Sequence, residues 1–234
     1  MAGLFREHIP PLPGETEAAL QQLLLGDILS LNGQPSIFQM RRAAERAVER
    51  GERGLDPEIL LLEYQRRLEA AIAERIGTIQ SGRLPHDEFV VHGARELLER
   101  LKARGLTLII LSGTSEPRVK EEAALLGLAG YFGRHIYGGT ADLAQSSKRA
   151  VIERLLREEK IGGAQLLSFG DGPVEIRLTK EFGGLAVGVA SDEEMNGSGR
   201  MHPQKLSALR EAGADAVVAD YRDADLLLDR IFGK

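Results

Sequence analysis

The chain changes rhythm near its first third. From Glu15 to about Arg83, apolar residues recur at the three-to-four spacing of helices, and no strand-like run interrupts them. Ala18, Leu20, Leu23, Leu24, Ile28 and Leu31 share one face and predict a helix stopped near Asn32-Gly33, with Pro35 beyond it. Ile37 to Val48 predicts a second helix, ending at Gly51. A third opens at Pro57, carries Leu60, Leu61, Tyr64, Leu68, Ile72 and Ile76 on one face, and reaches Gly77 near its end. These make a small all-helical unit.

After Pro85, helices alternate with short apolar runs. The predicted helices are Gly93 to Arg104, Glu116 to Leu126 and Ser147 to Glu159. The predicted strands are Leu106 to Leu111, His135 to Tyr137, Gln165 to Phe169, Leu185 to Ala190 and Ala216 to Ala219. Alternation of this kind predicts βαβ units and a parallel sheet covered on both faces, an α/β, Rossmann-like class. Ligands of such sheets bind beyond the carboxyl ends of the strands. The expected division is 1–88, an N-terminal segment with the helical unit, and 89–234, the α/β core. Asp192 to His202, rich in Gly, Asn and Ser, is the least ordered-looking segment.

Composition narrows the classes. Lys and Arg number 30 against 35 Asp and Glu, a formal charge of -5, which gives no electrostatic reason to expect nucleic acid. Arg41, Arg42, Arg46 and Arg50 interleave with Glu45 and Glu49, the pattern of a solvated, ion-paired face. The chain has no cysteine, so thiolate and disulfide chemistry are excluded and a reducing compartment, by default the cytoplasm, is expected. No apolar run approaches the ~20 residues of a membrane helix, and no signal pattern opens the chain. Oligomeric state is not predicted.

Three features fall at strand ends or on the next helix. Leu108 to Leu111 runs into Ser112-Gly113-Thr114, where a hydroxyl and backbone N–H groups can hold a phosphoryl oxygen; the bland alternative is a helix cap. Lys148 stands at a helix start that Ser146 or Ser147 could cap; a cation there opposes the helix dipole unless an anion offsets it. Leu166-Leu167-Ser168-Phe169-Gly170-Asp171 ends an apolar run in a carboxylate, and Glu175 follows four residues on. Hard oxygen ligands without His or Cys beside them suit Mg²⁺; the alternative is Asp171 capping the following helix. His86, His92, His135 and His202 show no paired metal-ligand spacing, the glycine pairs lack the dinucleotide fingerprint, and no Gly-x-Ser-x-Gly elbow occurs.

These three features, in this order, resemble the second, third and fourth motifs of the haloacid dehalogenase superfamily. The resemblance covers roughly Val91 to Phe232, and the preceding helices resemble that family's cap. It implies that Ser112 and Gly113 hold the transferring phosphate, that Lys148 steadies phosphate and nucleophile charge, and that Asp171 and Glu175 hold Mg²⁺. The second acid of that pair is more often Asp in the family. The implied activity is hydrolysis of a small phosphorylated metabolite through an aspartyl-phosphate.

The family's first motif, Asp-x-Asp-x-Thr after an apolar strand, is missing: no Asp-x-Asp precedes Ser112. Leu23-Leu24-Leu25-Gly26-Asp27 is the only tempting substitute, but Leu29 and Leu31 stand where acid and hydroxyl are required, and the run fits a helix. The family's first strand is central, and a five-residue central strand contributes on the order of 10 kcal/mol through ladder bonds and side-chain burial. The expectation is therefore a chain that starts late, or one in which another segment fills the gap; Met1 to Pro10 makes a poor buried strand. As given, such a chain is expected to be nearly inactive. The competing reading is a non-catalytic phosphate- or partner-binding module.

Overall fold

The computed structural model describes residues 1–32, 34–140 and 147–233. Gly33, at the predicted stop of the first cap helix, and Ser146, one of two predicted helix caps, lie outside the described residues.

The helical half forms as its periodicity predicts. Helices α2 (Glu17–Ser30), α3 (Ser36–Glu49) and α4 (Pro57–Gln80) occupy the three predicted stretches. Thr16 caps α2 by accepting from the N–H of Ala19, and Asp56 caps α4 ahead of Pro57 at its first position. A further helix, α1 (Ala2–His8), uses the N-terminal residues. Leu4, Phe5 and Ile9 are buried with Leu20, Leu24, Met40, Ala43, Ala47 and Leu60 in one apolar cluster. Met1 to Pro10 therefore belongs to the helical unit and fills no place in a sheet.

The charged face of α3 is ion-paired as its alternation predicts, with Arg41, Glu45 and Glu49 exposed, but two of its arginines are not solvated. Arg46 and Arg50 keep only 17% and 4% of their side-chain surface exposed. Arg50 pairs with Glu15, while Arg46 binds both oxygens of Asp27 at 2.9 Å and Arg42 adds a third bond at 3.2 Å. Asp27 thus sits inside α2 and ties it to α3. A carboxylate held by two arginines in the middle of a helix is not free to act as a nucleophile.

Among the described residues, the second half supplies five strands, each parallel to its neighbours. They are β1 (Ile110–Ser115), β2 (Ile136–Gly139), β3 (Leu167–Gly170), β4 (Leu185–Val189) and β5 (Ala216–Val218). Before, between and after them come α5 (Ala94–Ala103), α6 (Glu116–Leu125), α7 (Ala129–Phe132), α8 (Lys148–Glu158), α9 (Pro173–Glu181), α10 (Pro203–Glu211) and α11 (Ala224–Phe232). In place of one continuous sheet, the strands form two: β1 beside β2, and β3-β4-β5.

That division explains where the strand predictions shift. The run Leu106 to Leu111 reads as fully buried, yet its first four residues make no ladder, and Leu106 is 38% exposed. β4, hydrogen-bonded on both edges, buries Ala186, Val187 and Val189 completely or nearly so, whereas every residue of β3 is only partly buried. Among the described residues β1 and β3 each have one partner strand, so their apolar side chains lack the cover of a neighbouring strand on the other edge. The two sheets still share one apolar cluster: Leu108, just before β1, and Phe169 of β3 both rest on Leu97, Leu101, Ala224 and Leu228 of α5 and α11.

The helical unit reaches the carboxyl ends of the strands from two sides. Gln204 of α10 donates to Gln22 of α2 at 2.6 Å, and α4 touches α6.

Asp27→Asn removes a charge that two arginines share. Burial alone would raise the Asp27 carboxyl, but the bonds from Arg46 and Arg42 outweigh it and hold it below the ordinary aspartate range. Its stabilising contribution is therefore present above pH ~4 and lost on further acidification. Urea denaturation at neutral pH is expected to show a loss of about 1–3 kcal/mol for Asp27→Asn, with phosphate affinity unchanged.

Candidate active site

The carboxyl end of β1 is irregular. Ile110 and Leu111 pair with Ile136 and Tyr137, but Ser115 already pairs with Gly139, so four residues of β1 span two of β2. Ser112, Gly113 and Thr114 form the resulting bulge, a device that re-aims side chains at sheet ends. The sequence reading placed these residues beyond the strand; they lie within its irregular last turn. Ser112 Oγ accepts from the Thr114 N–H at 3.1 Å, which leaves the hydroxyl proton to be donated outward. β2 closes tightly over this turn. A Cβ on Gly138 would stand 2.5 Å from the Thr114 carbonyl oxygen, so only glycine permits the approach. Ser115 precedes α6 without a side-chain cap bond, which removes the simple capping explanation for this serine cluster.

Lys148 is the first residue of α8, with Ser147 as the cap that accepts from the Ala150 N–H at 3.2 Å. Its side chain is buried, and the anion that offsets it is Glu175, with which it forms a direct ion pair. Burial pushes the Lys148 ammonium down to about 8, and the Asp171 charge pulls against that shift. α8 rests on β1, while Glu175 belongs to α9, which packs on β3. The pair therefore joins the two sheets at the ends where Ser112 and Asp171 stand.

Asp171 follows β3 directly and remains about half exposed. It does not cap α9: the cap position is Gly172, with no side-chain bond. Glu175 lies in the first turn of α9, its Oε1 on Lys148 and its Oε2 buried without a hydrogen-bond partner among the described residues. The backbone here leaves no room for side chains. A Cβ on Gly172 would come within 2.9 Å of both Glu175 Oε2 and the Asn32 carbonyl oxygen, and one on Gly170 would press on Glu175 Cβ at 3.0 Å. The turn after α2 thus brings the helical unit to the edge of this cradle. Among the described residues, no group of three or more His, Cys, Asp or Glu gathers as a metal cage.

The structure brings Lys148, Glu175 and Asp171 together and sets Ser112 and Gly113 in the bulge of the strand that Lys148's helix rests on. Sequence reading missed Lys205. It lies in the first turn of α10, is 93% buried by side chain, and points its Nζ at Glu193 (2.5 Å) and Asp171 (3.9 Å). The sole linear signal was a lysine two residues after Pro203, which is common at helix starts and carries no hint of Asp171. No helix among the described residues is long and apolar enough to cross a membrane.

Comparison with known proteins gives this geometry a context. No curated protein matches the chain. Among solved structures, a predicted phosphatase from Clostridium acetobutylicum is 24% identical over 61% of this chain and 60% of its own, with a TM-score of 0.47; the chain spans only about three fifths of that protein's length. A predicted phosphoglycolate phosphatase from Haemophilus somnus is 18% identical, matches 90% of this chain and 82% of its own, and gives a TM-score of 0.57. A haloacid dehalogenase-like protein of unknown function from Agrobacterium tumefaciens is 18% identical over 84% of this chain and 92% of its own, with a TM-score of 0.50. At these identities the likeness is one of fold. The sequence pattern described as haloacid dehalogenase-like hydrolase matches residues 12–183, which spans α2 to α4, the bulge, Lys148 and the Asp171–Glu175 turn. The chain belongs to the haloacid dehalogenase-like hydrolase family.

Proposed function

We propose that this chain carries the phosphate- and Mg²⁺-holding side of a phosphohydrolase acting on small phosphorylated metabolites. The observation that carries the reading is the buried Lys148–Glu175 pair beside Asp171, with one oxygen of Glu175 left unsatisfied. A buried carboxylate oxygen without a donor is costly unless a cation or a donor arrives.

The donors present fit magnesium. Asp171 and Glu175 offer hard oxygens one helical turn apart, and this ion commonly takes one or two carboxylates and completes its shell with water and substrate phosphate. When bound, it supplies positive charge against the phosphoryl oxygens. The chain's own residues supply the rest. The Ser112 hydroxyl proton and the N–H of Gly113 are suited to donate to phosphoryl oxygens, and the Lys148 ammonium to neutralise them. The helical unit over the strand ends, anchored through Gln22 and Gln204, would set which substrates enter and exclude bulk water.

Turnover by this chain is proposed to be slow. No Asp-x-Asp precedes Ser112 in the sequence, and Asp27 is held by arginines inside the helical unit. Loss of a nucleophile costs about 10⁴–10⁶-fold in rate, so binding should survive where hydrolysis does not.

Inorganic phosphate titrated calorimetrically with Mg²⁺ present is expected to bind, and Ser112→Ala and Lys148→Met to weaken it at least tenfold. Hydrolysis of an aryl phosphate at rates typical of enzymes, ~1 s⁻¹ or more, would contradict the slow-turnover reading; no phosphate binding at all would contradict the site. The pH dependence follows from Lys148. Its folded pKa is depressed to about 8, so the ammonium is present below that pH and lost above it. Phosphate affinity should accordingly fall as pH rises through about 8, and Lys148→Arg, which stays charged, should flatten the fall.

The same pair sets a stability prediction. Lys148→Met leaves Glu175 buried without its partner and should cost about 3–5 kcal/mol in urea denaturation, whereas Lys148→Met with Glu175→Leu should recover most of that loss.

A further inference from the structure

Two buried lysines flank Asp171, and their surroundings treat them differently. Lys148 rests directly on Glu175. Lys205 faces two carboxylates, Glu193 Oε1 at 2.5 Å and Asp171 Oδ2 at 3.9 Å. Glu193 is 74% exposed, in the segment between β4 and α10. An exposed carboxylate in an ion pair ordinarily contributes little to stability, so the consequence of Glu193 lies in what it does to Lys205. The helix that carries Lys205 is fixed. His202 caps it by accepting from the Lys205 N–H at 3.5 Å, and Gln204 is bonded to Gln22 of α2. Only the flexible side chain of Lys205 is free to choose between its two partners.

We propose that Glu193 is a counter-charge that draws Lys205 off Asp171 and so keeps the Asp171 carboxylate open to a divalent cation. This rests on the reading of Asp171 as a cation ligand given above. A buried ammonium requires a carboxylate. With Glu193 neutralised, Asp171 is the only other carboxylate within 4 Å of Lys205 among the described residues. The ammonium then closes on Asp171 and fills the position that a metal ion needs. Lys205 and Glu193 are positioning residues, acting through Asp171 and touching no substrate.

The test is calorimetric titration of the whole chain with Mg²⁺ alone, and with Mn²⁺ as a second probe, at fixed ionic strength. Asp171→Asn is expected to abolish binding. Glu193→Gln, a change at an exposed position that should leave the melting temperature unchanged, is expected to weaken binding roughly tenfold, the order for one screened unit charge exchanged near 4 Å. Lys205→Met is expected to tighten binding severalfold, and Glu193→Gln with Lys205→Met to bind no more weakly than the unaltered chain. A merely structural role for Glu193 would not produce that rescue. Unchanged or tighter binding in Glu193→Gln, where Asp171→Asn has lost it, overturns the counter-charge alone. No binding by the unaltered chain, or binding retained in Asp171→Asn, overturns the cation reading and the inference with it.

Discussion

The buried ion pair between Lys148 and Glu175 holds the site together, because its two members come from the two halves of a divided sheet. Lys148 arrives on a helix resting on β1, and Glu175 on a helix resting on β3. No ladder joins those strands. Backbone hydrogen bonding, which elsewhere fixes strand ends relative to one another, is absent between β1 and β3 among the described residues. The shared apolar cluster of α5 and α11, this buried pair and the exposed Arg149–Glu181 pair between the same two helices take over that task. A hydrophobic contact is tolerant of sliding, whereas an ion pair in a buried setting is directional and costly to break. The relative placement of the Ser112–Thr114 bulge and the Asp171–Glu175 turn therefore depends chiefly on the buried pair.

The divided sheet also shows why site and scaffold are under tension. Apolar runs suited to a central position stand at free edges in β1 and β3 and are only partly covered. The carboxyl ends of the same strands carry the bulge, the buried lysine and an unsatisfied glutamate oxygen. Backbone close approach replaces side-chain filling at Gly138, Gly170 and Gly172, so little can be added there without displacing Thr114, Glu175 or the turn at Asn32. Departures from local preference concentrate where ligand binding is proposed, as expected when polar groups are prepared for a partner that the folded chain alone does not supply.

Electrostatics at the strand ends works by pairing every buried charge with an opposite one. Lys148 has Glu175, Lys205 has Glu193 and, farther off, Asp171. The helical unit applies the same rule at a distance, with Asp27 and Glu15 neutralising arginines that are nearly withdrawn from water. In both places the alternation of charge along the sequence gives no warning of burial, because a solvated ion-paired face and a buried one have the same linear pattern.

Local pattern determined a good deal of this protein. Helical spacing in Glu17–Ser30, Ser36–Glu49 and Pro57–Gln80, and the apolar runs that mark β3 and β4, suffice to identify the class, since each is set by contacts within a few residues. The motif order Ser112, Lys148, Asp171, Glu175 likewise stands in the linear sequence, and with it the family. What it did not contain was pairing. That Met1 to Pro10 is a cap helix, that the strands split into two sheets, that Asp27 is claimed by Arg46, and that Lys205 comes beside Asp171 all depend on residues distant in the chain. Such contacts are decided by which surfaces remain to be buried once the local elements exist, and that balance is struck only in the folded molecule.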